Sequence, residues 1–190
     1  MVSDKQSTQY TVDPDCERIL ITPEEIAERV KAVAAQISAD YAGKHPILVC
    51  ILKGSTIFYA DLARALSIHV AFDFMAVSSY GAGTTSSGQL KIKKDLDCNI
   101  TGRDVIIVED IMDSGNTLMN LKKLLTKRSP SSLKIVTLLD KFERRQCPIS
   151  PDYKCFDIED EFVIGYGLDY AEHYRNLPYV GVCKRSVYEK

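Results

Sequence analysis

Apolar residues fall along this chain in two rhythms. Between Thr22 and Gly43, the residues Ile26, Val30, Val33, Ala34, Ile37 and Tyr41 recur every three or four positions and share one helical face. Thr22, Pro23 and Glu25 supply the opening of that helix, a capping box with proline at the first helical position, and Gly43 ends it. Elsewhere the apolar residues come in short runs rich in β-branched side chains: Pro46 to Leu52 and Val105 to Val108, both unbroken, and Leu133 to Leu139, interrupted only by Lys134 and Thr137. Runs of this kind fit strands buried on both faces of a parallel sheet. Glu17 to Ile21, His69 to Val77, Gln89 to Lys93 and Tyr153 to Ile158 read as further strands, and Thr56 to Leu66 and Leu118 to Lys127 as helices. Strands alternating with helices predict an α/β fold, a central and mainly parallel sheet flanked by helices.

The chemistry gathers where the buried runs stop, at the carboxyl ends of strands, which is where open α/β sheets bind ligands. After Val108 come Glu109, Asp110 and Asp113, then Ser114, Gly115, Asn116 and Thr117, leading into the helix. The first amides of a helix have no intrahelical partner, and Gly115 lets several approach one anion. The helix dipole adds only about 0.3–1 kcal/mol, whereas a hydrogen bond to a charged group contributes roughly 1.5–3 kcal/mol. Amide geometry therefore dominates such a phosphate site. Carboxylates beside it would repel the ligand unless they bind hydroxyls or hold a cation, so the composition points to a sugar phosphate with Mg²⁺. An ordinary strand-to-helix turn capped by Asp113 or Ser114 is the simpler reading, but one cap does not account for three carboxylates within five residues. The glycines of a P-loop or a dinucleotide fold are missing.

Lys53-Gly54-Ser55 ends the run at Leu52, and Asp140-Lys141 ends the run at Leu139. On spacing alone each is a turn with a solvated lysine. Gly81 to Gly88, GAGTTSSG, is too polar and small to order itself and is expected to move.

Bulk properties narrow the field. The 190 residues suffice for one substantial core, and a formal charge of -2 offers no field for nucleic acid or an anionic membrane. The six cysteines include no C-x-x-C pair and suit reduced thiols of a cytoplasmic protein, and no zinc-ligand spacing occurs. The first residues lack an apolar signal core, and no apolar stretch reaches membrane-spanning length.

The run VIIVEDIMDSGNTL, Val105 to Leu118, resembles the phosphoribosyl pyrophosphate signature of the type I phosphoribosyltransferases, in the form carried by the hypoxanthine-guanine phosphoribosyltransferases. Leu52 to Ser55, Leu138 to Lys141 and Phe162 to Val182 match three more of that family's motifs in the same order, so the resemblance covers the chain from about Cys16 onward. It implies one domain over residues 1–190, with a small base-binding hood built from the N-terminal segment and about residues 140–190. It further implies transfer of 5-phosphoribosyl from phosphoribosyl pyrophosphate to N9 of hypoxanthine or guanine, with Mg²⁺ as cofactor, pyrophosphate as second product, and a homodimer or homotetramer as the assembly.

By the same resemblance, phosphoribosyl pyrophosphate falls to Lys53, Gly54, Ser79, Tyr80, Glu109, Asp110, Asp113, Ser114, Gly115, Asn116, Thr117 and Arg175. Ser79 and Tyr80 belong to a closing lid, and the Leu52–Lys53 peptide takes the place of one that can be cis in the family. Asp113 is the catalytic partner of purine N7. The purine falls to Lys141 at its 6-oxo group, to the stacking ring of Phe162, and to Val163 and Asp169. Metal falls to Glu109, Asp110 and Asp169. Some relatives carry lysine where Asn116 stands, and asparagine still offers an amide. An ammonium donates and cannot accept, so Lys141 suits a 6-oxo group and leaves a 6-amino group poorly paired. Two alternatives share the fold: an RNA-binding regulator, disfavoured by the charge, and an enzyme preferring xanthine.

Overall fold

The computed structural model describes residues 10–79 and 90–189. A six-stranded sheet forms its centre, built from β2 (Ile47–Leu52), β3 (Ala71–Ser79), β4 (Leu90–Lys94), β5 (Asp104–Met112), β6 (Ser132–Asp140) and β7 (Tyr153–Asp157). The spatial order is β4-β3-β2-β5-β6-β7. Every neighbouring pair is parallel except β3 with β4. The α/β architecture expected from the alternating pattern is therefore present.

The unbroken apolar runs follow from helices on both faces. Leu48, Cys50, Ile106, Val108, Val136 and Leu138 point to one side, where α1 (Pro23–Asp40) brings Val30 and Ile37 and α2 (Thr56–Ala65) brings Phe58 and Leu62. The alternating partners Val49, Val105, Ile107 and Ile135 point to the other, where α3 (Asn116–Thr126) brings Leu118, Leu121 and Leu125. A strand covered twice has no polar face to show. The capping box of α1 is made as expected: Glu25 N–H donates to Thr22 Oγ1 at 3.2 Å, and Thr22 N–H donates to the Glu25 carboxylate at 2.8 Å.

Above the sheet lies a second, antiparallel sheet of three strands in the order β1-β9-β8, formed by β1 (Cys16–Ile21), β8 (Val163–Ile164) and β9 (Val180–Cys183). Residues from both ends of the chain build it. The buried Tyr179 hydroxyl accepts from Asp13 N–H at 2.8 Å, and the Tyr174 hydroxyl donates to Asp15 at 2.7 Å. A short helix, α4 (Arg185–Tyr188), ends the described chain.

Most element boundaries differ from expectation by a residue or two, and that of β5 by more. β5 does not stop at Val108 but continues to Met112, because Glu109, Ile111 and Met112 pair with Thr137, Leu139 and Asp140 of β6. Its carboxylates Glu109 and Asp110 thus ride on the strand itself. α3 starts two residues early, at Asn116, and β3 starts at Ala71, where Pro46 O accepts the Ala71 amide. The Gly81 to Gly88 segment, Gln89 and Tyr80 lie outside the described residues.

Candidate active site

The parallel register brings the carboxyl ends of β2, β5 and β6, neighbours in the sheet, to one edge, and with them Lys53, the Glu109 to Asp113 run and Lys141.

After β2 the Leu52–Lys53 peptide is cis. The turn closes on itself: Thr56 Oγ1 donates to Lys53 O at 2.6 Å, and Ser55, wholly buried, donates to Ile51 O at 2.6 Å. Gly54 lies hard against the Asp110 carboxylate, and a Cβ there would overlap it. Gly167, at φ +102°, presses from the other side on the Gly54 carbonyl. Only glycines permit this approach of two loops and a carboxylate.

Glu109 and Asp110 are adjacent and half-buried. Burial, reinforced by Asp110's charge, pushes the Glu109 carboxyl well above the usual range, and burial raises Asp110 as well. Two carboxylates so placed are stabilised by anything that brings positive charge or hydroxyl donors. Asp110 N–H lies 3.3 Å from Glu109 Oε1, and Ile111 N–H donates to Asp110 Oδ1 at 2.7 Å.

The turn that follows is shaped by Gly115, whose φ is +81°. Met119 reaches back to Gly115 O at 2.8 Å. Apart from a long contact of Asn116 N–H with Ser114 Oγ, 3.4 Å, the amides before it are those a helix start leaves for an anion. The turn has no side-chain cap. It is braced from beneath by the chain after β6: Gln146 N–H donates to Ser114 O at 3.0 Å, Arg145 Nη1 to Asp113 O at 3.0 Å, and Asn116 Nδ2 to Gln146 Oε1 at 2.9 Å. Arg145 is itself tied to Asp140 by a buried ion pair.

Lys141 is only 7% exposed, with Nζ donating to Glu161 O at 2.6 Å and 3.6 Å from Asp160. Its own amide donates to Met112 O at 2.9 Å, which places it beside the end of β5. Phe162 is 37% exposed, stacks on Tyr188 of α4 at 4.6 Å between centroids, and meets Tyr170 edge-on at 5.7 Å. Val163, buried, follows in β8.

The loop from Gly165 to Arg175 closes the site from above. Tyr166, Ala171, Glu172 and Tyr174 all take positive φ, between 48° and 74°, an uncommon backbone state that gathers at functional loops. Arg175 donates to Gly167 O at 2.7 Å and pairs with Asp169 at 2.9 Å. Asp169 also accepts from Glu172 N–H at 2.9 Å, and Glu172 pairs with Lys53 at 3.0 Å. Lys53 holds the Glu172 carboxyl below its ordinary range.

Of the residues expected from sequence, Gly54 meets Asp110 directly, Arg175 meets Asp169, and Lys141 lies against the backbone beside Asp113. Ser79 ends β3, and Tyr80 lies outside the described residues. Among the described residues no group of three or more carboxylate, histidine or cysteine side chains is gathered to hold a metal ion. Glu109 and Asp110 fit instead the habit of Mg²⁺, which takes one or two carboxylates and completes its shell with water and ligand phosphates. Sequence reasoning missed Glu172, Arg144, Arg145, Asp160 and Tyr188. The consecutive arginines after Lys141 were a visible signal; the tertiary partners of the other three left none.

Residues 17–171 match the family model described as phosphoribosyl transferase domain. The chain is 51% identical over 179 residues to a hypoxanthine-guanine phosphoribosyltransferase of Streptococcus thermophilus, covering 94% of this chain and 99% of that one. Against the enzyme of that description from Streptococcus agalactiae, identity is 52% over 179 residues with the same coverage. A crystal structure of a hypoxanthine phosphoribosyltransferase from Staphylococcus aureus superposes with a TM-score of 0.90 at 48% identity, covering 93% of this chain and 96% of that one. With the strand-end cluster, the helix-start turn and the three-stranded sheet above it described, the chain belongs to the phosphoribosyltransferase family, among its hypoxanthine-guanine enzymes.

Proposed function

We propose that this enzyme serves purine salvage by transferring 5-phosphoribosyl from phosphoribosyl pyrophosphate to N9 of hypoxanthine or guanine, giving IMP or GMP and pyrophosphate. The observation that carries the reading is the junction of a glycine-shaped helix start, Asp113 to Thr117, with the adjacent half-buried carboxylates Glu109 and Asp110 on the strand feeding it. A sugar phosphate presents a phosphate for the turn and hydroxyls for the carboxylates.

The 5-phosphate is received by the amides of Asp113 to Thr117, with Asn116 adding a side-chain amide. Glu109 and Asp110 accept hydrogen bonds from the ribose hydroxyls. Lys53, Gly54 and Arg175 receive the pyrophosphate, Arg175 by its planar fork, after both cations leave their present carboxylate partners. Glu109, Asp110 and Asp169 are the side chains that would hold Mg²⁺, which when bound would supply positive charge to balance that of the pyrophosphate. Ser79 and Tyr80 belong to the segment that excludes water.

The purine stacks on Phe162, with Val163 and Asp169 beside it, while Lys141 Nζ donates to its 6-oxo group. As N9 attacks, electron density leaves the ring, and Asp113 receives the N7 proton or its hydrogen bond. Placement of donors alone at Lys141 disfavours adenine.

The enzyme is cytoplasmic in this reading; among the described residues no helix is long and apolar enough to cross a membrane. It assembles as a homodimer or homotetramer. An apolar cleft on α2 and β3 of about 420 Å³, lined by Tyr59, Ala60, Ala63, Phe72 and Phe74, with Phe72 57% exposed, is the surface that supports it. Incubation with phosphoribosyl pyrophosphate, Mg²⁺ and hypoxanthine should yield IMP by chromatography, and a chelator should abolish it. Folded protein that forms no nucleoside monophosphate overturns the reading.

A further inference from the structure

Four charged side chains alternate in sign across the base end of the site: Asp113, Arg144, Asp160 and Lys141. Arg144 Nε lies 3.0 Å from Asp113 Oδ1, Arg144 Nη1 donates to Asp160 Oδ1 at 3.2 Å, and that oxygen lies 3.6 Å from Lys141 Nζ. Asp113 Oδ1 is buried without a hydrogen bond, although its side chain as a whole is 43% exposed. Arg144 thus sequesters one carboxylate oxygen in an ion pair, and the exposure belongs to the remainder, with Oδ2 left to meet a ligand. The backbone repeats the link. Arg144 sits in the 3-10 turn Phe142–Arg144 directly after Lys141, its amide donating to Lys141 O at 3.2 Å, and its neighbour Arg145 holds the Asp113 carbonyl.

We propose that Arg144 and Asp160 form a positioning bridge that sets the carboxylate of Asp113 and the ammonium of Lys141 at a fixed separation before the purine arrives. The inference rests on the roles assigned above to Asp113 and Lys141 and adds what places them. Those two groups must meet N7 and the 6-oxo group of one rigid ring system at once, so an error in their separation weakens both contacts. Asp113 stands on the turn after β5 and Lys141 on the end of β6. Arg144 spans the gap with a planar group that reaches both carboxylates. Preorganising two contacts in this way removes ordering cost at binding.

The test is steady-state kinetics of Arg144→Ala, Asp160→Asn and the double variant, with each substrate varied in turn. Arg144→Ala raises KM for hypoxanthine and guanine about 3- to 10-fold, leaves KM for phosphoribosyl pyrophosphate within about twofold, and narrows the preference for 6-oxo over 6-amino purines. Asp160→Asn moves the same parameters in the same direction, and the double variant is no worse than the weaker single one, as expected of groups acting as a unit. Both side chains are about half exposed, so the variants should melt close to the parent; were Arg144→Ala not to fold, Asp160→Asn carries the test. An unchanged or lower KM for the base, an equal rise in both KM values, or additive losses in the double variant overturns the bridge. Loss of 6-oxo preference in Lys141→Ala beside normal base KM in Arg144→Ala sinks the bridge alone. Absence of any 6-oxopurine turnover by the parent sinks the reading beneath it.

Discussion

Gly54 and Asp110 touch so closely that a methyl group on Gly54 would fall on the Asp110 carboxylate. The loop after β2 and the acidic end of β5 are therefore one unit, although 56 positions apart in sequence number. Gly54→Ala should push Asp110 or the loop aside at an overpacking cost of about 1–3 kcal/mol. Calorimetric titration should find weaker phosphoribosyl pyrophosphate binding with purine-nucleotide recognition at Lys141 retained.

Asp113 has a different signature. Asp113→Ala should lower kcat about 10²- to 10⁴-fold while phosphoribosyl pyrophosphate binding stays near that of the parent. Equal loss of both in parallel kinetic and binding measurements would reduce Asp113 to a strut of the phosphate turn.

Lys141→Ala removes a buried ammonium that donates to Glu161 O. If the same donor reads the 6-oxo group, discrimination between hypoxanthine and adenine should fall by about 1.5–3 kcal/mol, roughly 10- to 150-fold in relative kcat/KM. Competition between the two bases measures it.

The raised carboxyls of Glu109 and Asp110 predict a pH effect on the free protein. A carboxyl raised on folding binds more protons in the native than in the unfolded chain, so unfolding free energy falls as pH rises. The penalty is absent below the ordinary glutamate range near 4.5 and complete above the raised native value. Glu109→Gln should accordingly raise Tm at pH 8, by about 2–4 °C for each kcal/mol recovered. That gain should shrink toward pH 4 while phosphoribosyl pyrophosphate binding is lost. A lower Tm at pH 8 would contradict the assignment.

The exposed Phe72 packs its ring on Tyr59 at 5.1 Å and faces the apolar cleft of α2 and β3. Phe72→Asp should shift the protein toward monomer in sedimentation velocity, with its secondary structure intact by circular dichroism.

Much of the fold could be read from the chain because buried strands and an amphipathic helix announce themselves locally. Val105 to Val108 is apolar throughout since α1 and α2 cover one face and α3 the other, and the Thr22 to Glu25 cap needs only four residues. The end of β5 is hidden for the same reason. Polarity at Glu109 and Asp110 looks like a stop, whereas the hydrogen-bond ladder to Thr137 and Leu139 continues. Site residues that lie on strand ends or beside glycines carried a signal. Glu172, Asp160 and Tyr188 did not, because each matters only through a distant partner: Lys53, the Arg144–Lys141 pair and Phe162.

The most direct measurement is the rate of pyrophosphate release from phosphoribosyl pyrophosphate with Mg²⁺, with hypoxanthine, guanine, xanthine, adenine and uracil supplied one at a time. Rapid release with hypoxanthine and guanine and little with adenine or uracil is the predicted result. Equal rates with adenine, or no release with any base from folded protein, would contradict the account.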